Sequence, residues 1–319
     1  MIEYIKECKK KIERIKINAV VICKKKKINF FKCLFAALAT AWSAFCATES
    51  IYDYLWKYLS IDSYIKIESI EWSGFLRCSL IVIAACAIAC FRHLYEPFSV
   101  EFPIVNGKTM VRIEFGDIFQ KKNVVAIGVN NFFDSCVKHD VIKPPTLHWQ
   151  LITNILKGDA SIFDKAVDPI RKQGVWTPGR LDTSDKDLKN KKHKCEIGAT
   201  AILNYEDVKY ACTVISEMPD DSFVAESSNS KIIEATREML NAVRGICGDK
   251  EIAIPVWGTG LSRCVLNEKQ MIELLLATIL EVSSEKKVSE EITIVVYKDK
   301  YGEIDLESLK NKWSEHGVS

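Results

Sequence analysis

Apolar positions are distributed along the chain in two different ways. Within the first hundred residues they gather into two nearly unbroken blocks, and beyond that point short β-rich runs alternate with segments of helical spacing. The first block, 28–47 (INFFKCLFAALATAWSAFCA), is about as long as a helix must be to cross roughly 30 Å of hydrocarbon. Its one charge, Lys32, lies near enough to the end to snorkel back to the headgroups. The second, 74–91 (GFLRCSLIVIAACAIACF), is shorter, begins with Arg77 close to the interface, and would span with little tilt. A cleaved signal peptide is the competing reading, with Lys24 to Lys27 as its basic region and Ala44 to Ala47 as its cleavage site. The long charged leader before the block and the second apolar segment after it oppose that reading, and two transmembrane helices are expected.

Flanking charge then gives an orientation. Lys24 to Lys27 precede the first block, and Arg92 and His93 follow the second. The connection between them carries Glu49, Asp53, Asp62, Glu68 and Glu71 against Lys57 and Lys66. Both termini are therefore expected in the cytoplasm, in a multi-pass protein of the inner membrane. Tyr52, Tyr54, Trp56, Tyr58, Tyr64 and Trp72 suit the outer headgroup level. The leader places Ile2, Ile5, Ile12 and Ile15 on one helical face amid Lys9, Lys10, Lys11, Arg14 and Lys16, a basic amphipathic helix that can lie on the inner leaflet or pair with a second copy. The expected division is a leader at 1–27, a transmembrane hairpin at 28–97 and a cytoplasmic domain at 98–319.

In that last part, strands are expected at 110–115, 123–129, 197–203, 210–216, 251–256 and 291–297, and helices at 147–156, 231–243 and 268–282. The alternation predicts an α/β fold, a three-layer α/β/α domain with a mixed, mostly parallel sheet and a ligand crevice beyond its strand ends. The polar stretch 181–194 (LDTSDKDLKNKKHK) reads as a solvated surface loop.

Composition adds two exclusions. The 12 cysteines include no CxxC pair and no regular spacing, so neither a disulfide scaffold nor a metal site is expected. The net charge of +2 gives no ground for a nucleic-acid partner.

Three strand ends carry candidate chemistry. IAIPVWGTGLSR (252–263) runs from a hydrophobic strand into Gly258, Thr259 and Gly260, where glycines let backbone N–H groups approach an anion such as phosphate. A plain tight turn is the alternative. IEFGD (113–117) ends in Asp117, read as a carboxylate on the buried side. VVAIGVNN (124–131) ends in Asn130 and Asn131, which either cap a turn or hold sugar hydroxyls through both donor and acceptor. Trp176 and Trp257 flank these ends, as stacking partners or as core residues.

In this order the three elements resemble a macro domain, over roughly 98–297. The resemblance implies that Asp117 accepts from the adenine amino group, that Asn130 or Asn131 meets the distal ribose, and that Gly258, Thr259, Gly260, Leu261, Ser262 and Arg263 wrap the diphosphate. One departure is visible: FFDSCVKHDVIKPPTLHWQ (132–150) stands where hydrolytic macro domains carry a glycine-rich loop.

The longer order GDIF, VNNFFDS, PPTLHWQ, CEIGATAIL, IPVWGTGLSR, after two apolar blocks, is similar to the membrane-anchored macro-domain effectors of type II Thoeris antiphage defence. That resemblance implies a sensor without a cofactor or catalytic role. Its ligand would be a histidine-linked ADP-ribose made by a TIR-domain NAD-consuming enzyme, and its output oligomerisation and disruption of the bilayer in abortive infection. Small residues such as Ala36, Ala37, Ala39, Ala84, Ala85 and Ala89 would allow close packing in a homo-oligomer. The alternatives are a membrane-bound hydrolase of ADP-ribose conjugates, with Asp134, His139 or His148 as general base, and a scaffold with a decayed pocket.

Overall fold

The computed structural model describes Ile83 and residues 97–316, except 105–107, 138–140, 181–190, 247–250 and 259–264. The chain divides into two units, Met1–Glu96 and Pro97–Ser319. The leader and, Ile83 apart, both expected spans lie outside the described residues, and among the described residues no helix is long and apolar enough to cross a membrane.

The second unit is built on a mixed seven-stranded sheet. Its strands are β1 (Ser99–Ile104), β2 (Thr109–Gly116), β3 (Asn123–Asn130), β6 (Thr200–Tyr205), β7 (Val208–Ser216), β8 (Ile252–Pro255) and β9 (Glu291–Tyr297), in the order β1-β2-β9-β8-β3-β7-β6. The five central strands pair in parallel, while β1 and β6 close the edges antiparallel. Burial follows from that position. β8 is buried at every residue and β7 and β9 nearly so, as parallel strands covered on both faces must be, whereas edge strand β1 alternates exposed and buried. Pro103 sits in β1, where a missing N–H does least harm.

Five helices accompany the sheet among the described residues: α1 (Leu147–Gln150), which runs on into a π-helical turn (Leu151–Ile155), α2 (Ala160–Arg171), α3 (Asn229–Val243), α4 (Glu268–Glu285) and α5 (Leu306–His316). Each of α2, α3 and α4 starts at a side-chain cap, from Asp159, Ser228 and Asn267 respectively, and the last is a full capping box with Gln270. Phe163 and Val167 of α2 enter a core with Val125, Ile127 and Val129 of β3 and Leu203 of β6. α3 and α4 bury Ile232, Met239, Leu240, Met271, Leu275 and Ile279.

The expected α/β architecture and mixed sheet are present. All six expected strands form, with ends shifted by up to three residues, and so do the three expected helices. Strand β1, helices α2 and α5 and a small ribbon of β4 (Val175–Trp176) with β5 (His193–Lys194) are additions. The ribbon corrects the reading of 181–194 as a solvated loop. Its described end is a strand, and Lys191 is buried because Ser135 and Asp164, distant in sequence, receive its ammonium.

Candidate functional site

Parallel pairing aligns the C-terminal ends of the central strands. Gly116 stands beside Tyr297, Val295 beside Pro255, and Asn130 beside Ser216. Along this rim runs a cleft of about 700 Å³, lined from Gly116, Asp117 and Ile118 at the end of β2, past Tyr297 and Lys298, past Trp257 and Gly258, to Asn130, Ser216 and Met218. Its outer wall is Val141 to Lys143 with Pro145 to His148, and Phe223 to Ala225 close the β7 end.

Asp117 lines the cleft but is exposed, which corrects the buried-side expectation. It follows the last residue of β2 and caps the short 3-10 turn Ile118–Gln120 by accepting from the Phe119 N–H at 3.0 Å. The cap uses Oδ1 and leaves Oδ2 for a donor.

Asn130 and Asn131 part company. A register irregularity between Val129 and Asn130 ends the ladder. Asn130 lines the cleft; Asn131 is wholly buried, is not among the lining residues, and its Oδ1 accepts from the Met218 N–H at 3.0 Å. The Asn130 amide is itself fixed. Its Oδ1 accepts from the Phe132 and Asp134 N–H groups at 3.1 and 3.3 Å, and its Nδ2 donates to Asp134 Oδ2 at 2.9 Å. Both lone pairs are engaged and one N–H remains, so Asn130 can meet a ligand only as a donor. The expectation of both donor and acceptor narrows accordingly.

Asp134 is held from behind. It is fully buried, pairs with the buried Arg180 at 2.7 Å, and the Arg180 guanidinium lies 3.7 Å from the centre of the Phe132 ring. Next to it Ser135 donates to Asp164 at 2.9 Å and receives Lys191, while Arg171 reaches Asp164 at 3.2 Å and the Phe133 carbonyl at 3.3 Å. The turn after β3 is thereby tied to α2 and to the residues flanking 181–190.

Gly258 has φ of 88° and lines the cleft, a left-handed conformation that favours glycine. Thr259, Gly260, Leu261, Ser262 and Arg263 lie outside the described residues, as does His139. Gly128 is a lining residue that sequence reading missed. A Cβ there would stand 2.3 Å from Ile215 Cδ1 and 3.3 Å from Trp257 Cε3. Trp257 is buried in the cleft wall, whereas Trp176 is 56% exposed, lies outside the cleft, and meets His193 edge-on.

His148 is buried in the outer wall with its ring 5.1 Å from that of Phe163. Burial, with the charge of Lys191 adding to it, pulls its pKa down to about 3, so the imidazole is neutral in ordinary buffers. Burial also holds the Cys212 thiol up at about 12 and the Cys195 thiol at about 11, which keeps both protonated and unreactive.

Residues 111–297 match the family described as "Thoeris protein ThsA, Macro domain". The chain belongs to that family. The Thoeris protein ThsA of Bacillus amyloliquefaciens is 24% identical over 217 residues, 65% of this chain and 68% of that protein. Among solved structures, the Oceanobacillus iheyensis macrodomain with ADP aligns over 68% of this chain and 97% of its own, with 16% identity and a TM-score of 0.40. A variant of it with ADPR aligns over 67% and 98%, with 17% identity and a TM-score of 0.42. As a member of the ThsA macro-domain family, the chain is a Thoeris antiphage defence protein with a macro domain.

Proposed function

We propose that this protein is the sensing effector of its defence system. In this reading the cleft binds an ADP-ribose-type messenger, histidine-linked ADP-ribose made by a TIR-domain enzyme, and binding drives the apolar N-terminal segments of assembled copies to disrupt the inner membrane. The observation that carries the reading is the continuous cleft along five aligned strand ends in a member of the Thoeris ThsA macro-domain family. Four strand spacings of about 4.8 Å give roughly 19 Å, the length of an extended nucleotide diphosphate sugar. In this reading Asp117 accepts from adenine, Gly258 admits the diphosphate, and the remaining Asn130 N–H meets the terminal ribose.

Binding without turnover is favoured over the hydrolase reading by the state of the two candidate bases among the described residues, His148 and Asp134. His148 at about 3 is too weak a base to activate water near neutrality. Asp134 is fully buried, holds Arg180 and Asn130 through Oδ2, and is absent from the lining of the cleft.

Titration calorimetry of the full-length chain with ADP-ribose and with its histidine conjugate, followed by chromatography of the incubated mixtures, tests both readings. The sensor reading expects heat of binding and intact conjugate. Release of free ADP-ribose would establish the hydrolase instead, and silence with both ligands would remove the pocket from the account.

A further inference from the structure

The chain enters the second unit at Pro97, and Phe98, just ahead of β1, stands a few residues past the second apolar block (74–91). Phe98 is held there twice. Its carbonyl accepts from the Phe115 N–H at 3.0 Å, one position beyond the β1–β2 ladder. Its ring stacks on Tyr301, with centroids 4.8 Å and planes 25° apart, and meets Phe115 edge-on at 6.0 Å. Phe115 and Tyr301 close the triangle edge-on at 5.2 Å, and both are buried. Three segments distant in sequence thus share one aromatic cluster.

None of the three rings lines the cleft, but both partners of Phe98 adjoin segments that do. Phe115 leads directly into Gly116, Asp117 and Ile118 at the end of β2. Tyr301 follows the 3-10 turn Lys298–Lys300, and its N–H closes that turn on the Lys298 carbonyl at 3.1 Å. Lys298 and Lys300 line the cleft after Tyr297. Lys300 also pairs at 2.8 Å with Glu268, a further lining residue and the first of α4. A ligand resting on these segments therefore acts on residues next in the chain to the rings that hold Phe98, while β1 contributes nothing to the lining. Close-packed rings exchange between discrete arrangements and do not deform continuously, which is the property a two-state coupling needs.

We propose that the Phe98–Phe115–Tyr301 cluster is the joint that carries occupancy of the cleft to the apolar N-terminal segments. The assignment rests on the reading of the chain as a sensing effector and adds to it the place where sensing meets output. A ligand at the ends of β2 and β9 binds one packing of Phe115 and Tyr301 more tightly than another, and so selects one position of Phe98 and of the chain that leads back to 74–91. The three are positioning residues, since they touch no ligand.

The full-length chain in vesicles, with histidine-linked ADP-ribose as the probe, tests the joint by setting affinity against ligand-induced leakage. Phe98→Leu and Tyr301→Leu are expected to bind within about twofold of the wild type yet leak about tenfold more slowly at saturating ligand, a loss of the size that side-chain networks carry. Tyr301→Phe keeps the stacked ring and should leak at the wild-type rate. The double leucine variant should leak no more slowly than either single, because the two rings act through one contact. Wild-type leakage in both leucine variants would overturn the assignment, and so would a loss of affinity large enough to account for the slower leakage. A wild type that fails to bind, or that binds without leaking, overturns the parent reading and this one together. Should the leucine variants lose their cooperative melt, hydrogen exchange on the wild type carries the test. Amide protection across 98–104 must change on adding the ligand, and no change there sinks the joint.

Discussion

Gly128 and Asn130 share one side of β3, and each acts through what its side chain cannot do. Gly128 has no Cβ to strike Ile215 at 2.3 Å or Trp257 at 3.3 Å, and both neighbours line the cleft with it. Gly128→Val is expected to push Trp257 into the ligand's path and to weaken ADP-ribose by about tenfold or more, with overpacking costing about 1–3 kcal/mol in stability. Calorimetry and a thermal melt separate those two effects. His148 allows a second prediction at this scale. A histidine held neutral when folded gains its proton more readily when unfolded, so the folded state loses stability as pH falls below about 6.5, at about 1.4 kcal/mol per unit, until the folded ring itself charges near 3. Above about 6.5 the group contributes no pH dependence. His148→Gln should flatten this part of the acid limb in urea melts between pH 6 and 4, and an unchanged slope would show that the ring is charged when folded.

Among the elements, the turn after β3 bears the most tension between sequence and structure. VVAIGVNN announces a buried strand and two amides, but nothing in the string says which amide faces the ligand. The register irregularity at Asn130 and the Met218 N–H settle that, and both are set by strand β7, which lies about ninety residues away in the chain (from Asn130 to Ser216). Asp117 and Gly258 were legible because each ends an apolar run at a glycine, a local signal. The wall at 141–146 was not, because its apolar positions follow neither helical nor strand spacing and acquire meaning only against Phe223, and His148, a candidate base in an expected helix, shows its burial only against Phe163. Helix α2 did carry a local signal, since Phe163, Ala166, Val167 and Ile170 recur at helical intervals. Lys191 reads as solvated in any window, and only the fold brings Asp164 and Ser135 to it. The buried pair Asp134–Arg180 locks this turn to the residues before 181–190. Arg180→Met leaves the Asp134 carboxylate uncompensated and is expected to cost about 3–5 kcal/mol. Pairing it with Asp134→Asn should recover a large part of that loss. Denaturant melts of the two singles and the double measure the coupling, and simple additivity would mean that the pair does not act as a unit.

At the scale of the whole molecule, the proposed function puts sensing and output in different parts of one chain, and a ligand can couple them only if it binds one global state more tightly than the other. The cleft offers a means. Its outer wall (141–148) and Gly258 both line it, so a nucleotide that touches both stabilises the arrangement in which they hold it. A ligand at a hundredfold excess over its dissociation constant stabilises the state that binds it by about 2.7 kcal/mol, enough to shift a marginal assembly equilibrium roughly a hundredfold. Two blocks without internal charge beyond Lys32 and Arg77 are the part of the chain suited to convert such a shift into membrane damage. The expected behaviour is that the full-length chain stays in the membrane pellet after alkaline carbonate extraction and enters solution with detergent. Adding histidine-linked ADP-ribose should then move it to larger assemblies in light scattering and make reconstituted vesicles leak. Gly128→Val should remain in the pellet yet fail to assemble or leak, because its defect lies in the cleft and not in the anchor. Leakage by that variant at wild-type ligand concentrations would show that the cleft does not control the output.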